Sequence, residues 1–148
     1  MSLMTPVINT RRPLEIRLDV ESGMPVYRQI IDQIMGGIAT GAVKGGDQLP
    51  TVRQLAVDLA INPNTVIRAY RELEIRGVLE TQQGTGTFIS HQKVQRDDVE
   101  RLRKLNQIVG EFTARAGSAG FSIEELLEQL KALTGEKGQN GDEGKKRR

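Results

Sequence analysis

The stretch from Leu49 to Ser90, LPTVRQLAVDLAINPNTVIRAYRELEIRGVLETQQGTGTFIS, is punctuated so closely that few chain paths satisfy it. Thr51 stands three residues before Gln54, the spacing of a capping box. A helix therefore opens at Thr51, with the Gln54 amide donating to the hydroxyl and the Gln54 side chain reaching back. Leu55, Ala56 and Leu59 give it a narrow apolar stripe. Asn62 and Pro63 open a second helix, because asparagine is a favourable cap and proline gives up nothing in a first turn. Val66, Ala69, Tyr70 and Leu73 recur at helical spacing and face a core. Gly77 ends that helix. Leu79–Gln82 and Thr87–Ser90 then read as two strands around Gly84-Thr85-Gly86.

Helix, tight turn, helix and hairpin in that order make a helix-turn-helix with a wing. The second helix of such a pair enters the DNA major groove by its N-terminal residues. Here these are Asn62, Pro63, Asn64 and Thr65, with Arg68 one turn on and Arg71 after it. The glycine tip suits close backbone approach to phosphate or minor groove. The expected DNA-contacting set is Thr51, Arg53, Asn62, Pro63, Asn64, Thr65, Arg68, Arg71, Gly84, Thr85 and Gly86. Plainer roles stand beside these. Asn62 is a cap first and a contact second, Arg53 could be a solvated surface arginine, and the glycines could simply satisfy a turn. Tyr70 belongs to the core and His91 is an ordinary exposed residue.

The residues LPTVRQLA (Leu49–Ala56), NPNTVIRAYRELE (Asn62–Glu74), RGVLE (Arg76–Glu80) and GTGTFIS (Gly84–Ser90) resemble the DNA-binding domain of GntR-family bacterial transcription regulators. The resemblance continues upstream through MPVYRQIIDQI (Met24–Ile34) and covers roughly Leu14–Ser90. The short remainder is similar to the YtrA-like branch, whose members carry only about two helices after the winged helix. The resemblance implies a homodimer joined through the C-terminal part. Dimer geometry then asks for a pseudo-palindromic double-stranded operator, and repression by blocking polymerase is the simpler default over activation. The chain departs from the broad family pattern at Pro63 and Ile67, where many members carry arginine. Ile67 either meets a thymine methyl or only pads the domain.

Composition narrows the alternatives. A chain of 148 residues has room for one domain and an appendage. It has no cysteine and a single histidine, which nearly excludes a zinc site or a histidine-based triad. No phosphate-cradling P-loop or nucleophile–base constellation is present, so no cofactor is expected and an enzyme is disfavoured. Only 3% of residues are aromatic, against single-strand binding by stacking. No apolar run approaches a membrane span and no signal peptide is visible, so the reading is intracellular, in the cytoplasm. Net charge does not help. Residues 21–90 hold six Lys and Arg (Arg28, Lys44, Arg53, Arg68, Arg71, Arg76) against seven Asp and Glu, about −1. That balance is the one support for an alternative, a winged-helix protein-interaction module without DNA binding. A DNA footprint survives only if arginines and acids occupy different faces.

The rest of the chain supplies a frame. Residues 1–13 read as loose. Leu14–Leu18 alternates apolar and charged, the pattern of a half-buried strand, and Glu21-Ser22-Gly23 is a turn. Pro25 begins a helix whose buried face is Val26, Tyr27, Ile30, Ile31, Ile34 and Ile38, weakened by Gly36-Gly37 and ended at Gly41. Val43–Leu49 reads as a glycine-rich loop. Residues 14–90 thus form the winged helix and 91–96 a polar linker. Asp97-Asp98 open a helix at its positive end. Leu102, Leu105, Val109, Phe112 and Ala116 step by 3 and 4, a heptad seam, until Gly117–Gly120 breaks it. Ser122 and Glu125 form another capping box, with Phe121 and Leu126 as a hydrophobic staple. Ile123, Leu126, Leu127, Leu130 and Leu133 make the last apolar face. The expected dimer interface is Leu102, Leu105, Val109, Phe112, Leu126, Leu127 and Leu130, in a helical segment at 97–134. An effector of unidentified chemistry would sit at that interface or against the winged helix. Residues 135–148 are polar, end in Lys145–Arg148, and read as a disordered tail. The expected fold class is mainly α with a small β component: a winged helix-turn-helix plus a short two-helix dimerisation segment.

Overall fold

A computed structural model describes residues 14–91 and 97–135. The expectations for the loose N-terminus, most of the linker and the tail lie outside the described residues. The chain order is α1 (Val26–Thr40), β1 (Gln48–Leu49), α2 (Val52–Leu59), α3 (Pro63–Ile75), β2 (Leu79–Gln82), β3 (Gly86–Ile89), α4 (Asp98–Ser118) and α5 (Ile123–Leu133). The described residues fall into two compact units, 14–91 and 97–135.

The first unit is three helices closed by a small antiparallel sheet of order β1-β3-β2. In β2–β3, Leu79 pairs with Ile89 and Gln82 with Gly86. The hairpin is therefore as expected, with its second strand starting one residue early. The third strand is a correction. Val43–Leu49 was expected as loop throughout, but Gln48 and Leu49 pair with Phe88 and Thr87. A two-residue strand carries no alternation to read, and its partner lies some 40 residues away along the chain. The core combines Ile30, Ile31 and Ile34 of α1, Leu55 and Ala56 of α2, Val66, Ala69, Tyr70 and Leu73 of α3, and Leu49, Leu79 and Ile89 of the sheet. Pro25 is the cap of α1 and not its first residue, and Gly41 closes the helix with φ 77°.

Leu14–Leu18 is not a strand. Its alternation is real, for Leu14, Ile16 and Leu18 pack on the core. The backbone of this stretch and of Asp19 just after it is held by two side chains of α1 in place of a ladder. The Arg17 amide donates to Gln33 Oε1 at 2.9 Å, and Gln33 Nε2 donates to the Arg17 carbonyl at 2.8 Å. Two residues on, the Asp19 amide donates to Gln29 Oε1 at 2.8 Å, and Gln29 Nε2 donates to the Asp19 carbonyl at 2.9 Å. Four residues of helix rise about 6 Å, and two extended residues span about 6.6 Å. The two carboxamides therefore meet alternate residues of an extended chain. Gly37 lets the segment lie this close, since a Cβ there would stand 2.8 Å from Leu14 Cδ1.

The second unit is α4 and α5. Asp97 caps α4, accepting from the Val99 and Glu100 amides. Glu100 accepts from Arg103, which holds its carboxyl below the usual carboxylate range. The helix runs through Gly117 to Ser118, so the expected break falls two residues later, at Ala119-Gly120, where Gly120 has φ 87°. The Ser122–Glu125 capping box is formed in both directions.

Candidate nucleic-acid interface

The turn between α2 and α3 is built from local bonds. Thr51 Oγ1 accepts from the Gln54 amide at 3.1 Å, which fixes the start of α2 and places Arg53, exposed, in its first turn. Ala60 closes α2 in the left-handed region, φ 53°, where a side chain is uncommon. The Ile61 amide then reaches back to the Ala56 carbonyl at 3.0 Å. Asn62 Oδ1 accepts from the Asn64 amide at 2.9 Å and Pro63 occupies the first turn of α3, both as expected. Tyr70, buried as expected, donates from its hydroxyl to the Pro50 carbonyl at 2.8 Å and ties α3 to the entrance of α2. Burial pushes its phenol well above the usual range.

Val66, Ala69, Tyr70 and Leu73 are buried, so the opposite face of α3 is open. Helical spacing aligns Asn64, Arg68, Arg71 and Ile75 along that face. With Ile67 and Glu72 these four residues line one open depression. Thr65 lies on the flank, half-buried. The structure therefore brings Asn64, Arg68 and Arg71 together.

Two further features shape this face. The Arg68 guanidinium lies over the Tyr27 ring of α1, 3.8 Å from its centroid. A cation over an aromatic face is held by the ring quadrupole. The five N–H donors lie in the guanidinium plane, so stacking on its face leaves its edge for other partners. Tyr27, expected only as core, thus also serves as a platform. The acids of α3 are engaged at its sides. Glu72 is ion-paired with Arg76, and Glu74 accepts from the Thr81 hydroxyl. An about neutral domain can present a basic stripe because its α3 acids already have partners.

At the hairpin tip the Thr85 amide donates to the Gln82 carbonyl at 3.0 Å, closing a turn with Gly84 at its third position and φ 77°. Gly86 has φ 137°, and a Cβ there would stand 2.6 Å from Gln48 Nε2. That same nitrogen donates to the Thr85 carbonyl at 3.2 Å. Gly86 is thereby explained inside the fold, because it makes room for the side chain that fastens the wing to β1. Gln48 had no sequence signal beyond its place beside the loop. His91 is exposed as expected, but its ring lies against the Gly45-Gly46 turn, where a Cβ on Gly46 would be 2.7 Å from Nε2.

In the second unit Leu102, Leu105, Val109, Phe112, Leu127 and Leu130 are exposed, while Leu126 is half-buried and Ala116 buried. Among the described residues there is no acidic or histidine cluster able to hold a metal ion, and no helix long and apolar enough to cross a membrane.

The family described as "Bacterial regulatory proteins, gntR family" matches residues 26–89. The HTH-type transcriptional repressor YtrA of Bacillus subtilis (strain 168) is 37% identical over 119 residues, 80% of this chain and 92% of that protein. The chain belongs to the GntR family. Its architecture agrees with solved GntR structures. YtrA from Sulfolobus acidocaldarius, a GntR-family transcription factor, is 35% identical, with a TM-score of 0.50 over 63% of this chain and 97% of that one. A transcriptional antiterminator from Listeria monocytogenes EGD-e is 27% identical, with a TM-score of 0.62 over 87% and 99%. This GntR protein is a DNA-binding transcription regulator of the YtrA-like branch, with a winged helix-turn-helix as its DNA-binding fold.

Proposed function

We propose that the protein is a homodimeric repressor that places α3 of each protomer in the major groove of a pseudo-palindromic operator. One observation carries this reading: the face of α3 opposite the core gathers Asn64, Arg68 and Arg71 around one depression, with their acidic neighbour Glu72 held by Arg76. Thr51 and Arg53 at the start of α2, Asn62, Pro63 and Thr65 at the start of α3, and the Gly84-Thr85-Gly86 backbone of the wing complete the proposed contact set. Two α3 helices in successive major grooves require half-sites about 10 bp apart, or a multiple. The apolar seam of α4 and the stripe of α5 join the copies. Repression is supported by the name of the Bacillus subtilis relative. The protein acts in the cytoplasm on chromosomal DNA and is a regulator, not an enzyme. Its effector would bind between the copies or against the winged helix.

The test begins by selecting duplexes from a random DNA library with the full chain. Enrichment of a two-fold symmetric site supports the reading, and failure to enrich any duplex overturns it. On the selected duplex at fixed ionic strength, Arg68→Ala should weaken binding by about 1–3 kcal/mol without altering the helical circular dichroism. Unchanged affinity would remove Arg68 from the interface.

A further inference from the structure

We propose that Ile67 reads the C5-methyl group of a thymine in each operator half-site. This inference rests on the reading of α3 as the recognition helix and names one base feature that it recognises. Ile67 is 38% exposed, on a helix whose core-facing positions are already filled by Val66, Ala69, Tyr70 and Leu73. It lies in the N-terminal half of α3, the part of a recognition helix that meets base edges. It shares the depression with Asn64 one turn before it and Arg71 one turn after it. An apolar branched side chain between two polar groups gains nothing from water. It gains from a partner that is apolar where its neighbours' partners are polar.

The major groove offers one such partner. Thymine presents a methyl group there, which the other three bases lack. Residues three apart on a helix have Cβ atoms about 5–6 Å apart, close enough for Asn64 and Ile67 to meet the same base pair or adjacent ones. Asn64 is suited to the N6 and N7 edge of an adenine. The carboxylate in the depression, Glu72, is engaged by Arg76. Ile75, the other apolar residue of that face, stands at the C-terminal end of α3, away from the base-reading end.

The experiment uses the full chain and the duplex it selects from a random library. Each thymine is replaced in turn by deoxyuridine, which lacks only the methyl group. In the unmodified protein, one symmetric position should respond, with affinity falling about fourfold per half-site, the equivalent of one buried methyl group. Ile67→Ala, which alters both half-sites at once, should bind the original duplex about sixteenfold more weakly, about fourfold for each half-site, and should no longer distinguish thymine from deoxyuridine at that position. Arg71→Ala should weaken binding to both duplexes alike and keep the distinction. Two results overturn the proposal: no thymine responds in the unmodified protein, or the response persists undiminished in Ile67→Ala. Failure to select any duplex overturns the recognition-helix reading itself and this inference with it. The deoxyuridine scan on the unmodified protein needs no variant to fold.

Discussion

The two units of the chain treat their apolar residues in opposite ways. In the winged helix, Ile30, Ile34, Val66, Ala69 and Leu73 are wholly buried, and the unit closes a core from its own three helices and sheet. In the helix pair, Leu102 is 58% exposed, Leu105 54% and Phe112 44%, although the spacing of these residues is as regular as that of α3. Periodicity thus says that a face will be buried, but not by what. Two helices of 21 and 11 residues are too few to cover both stripes with each other. The first unit closes its own core, and the second leaves its apolar stripes exposed.

Deleting the chain from Asp97 onward tests that contrast most severely. The remaining fragment should stay folded, since its whole core precedes the cut, and should be monomeric in sedimentation. Its operator affinity should fall by about 10²–10⁴-fold, because the second half-site is no longer bound intramolecularly. A fragment that remains dimeric at micromolar concentration would place the interface in the winged helix. The double substitution Leu105→Asp with Phe112→Asp sharpens the same point with the chain intact. It should raise the dimer dissociation constant at least about a hundredfold, as each buried unsatisfied polar group costs about 1–3 kcal/mol. The winged-helix unfolding transition should not move.

The smallest expected effect belongs to the first unit. Tyr70→Phe removes the hydrogen bond to the Pro50 carbonyl and should cost about 0.5–1.5 kcal/mol in denaturant unfolding at neutral pH. At high pH the two proteins should diverge. Burial raises the Tyr70 phenol in the folded state, so the unfolded chain releases its proton first. The original protein should lose stability as pH rises past about 10, the ordinary tyrosine value, and this component should be missing from Tyr70→Phe. Its oligomeric state should be unchanged.

What could be read in advance follows the range of the interaction. The caps at Thr51, Asn62 and Ser122 join atoms two or three residues apart, so residue type and spacing reveal them, although the reciprocal bond expected from the Gln54 side chain is not formed and that of Glu125 is. The stripes of α3 and α4 are legible for the same reason. β1 was not, because two residues define it only through β3. Leu14–Leu18 showed the correct inward face, yet nothing local reveals that glutamine side chains and not a strand take its backbone groups. At the site, Asn64, Arg68 and Arg71 were legible as one polar face. Tyr27 under Arg68 and Gln48 under the wing were not, since both meet their partners across tens of residues of chain.

The joint between Gln29, Gln33 and the Arg17–Asp19 backbone has a consequence for how this protein is handled. Neither carboxamide titrates, and neither carries a charge that counter-ions could screen. The seam that fastens the first described segment to α1 is therefore indifferent to acidity and to added electrolyte. Phosphate contacts are not, because they release condensed counter-ions on binding. A salt wash strong enough to strip this protein from a heparin or DNA column should leave that seam closed and return the winged helix in its native arrangement.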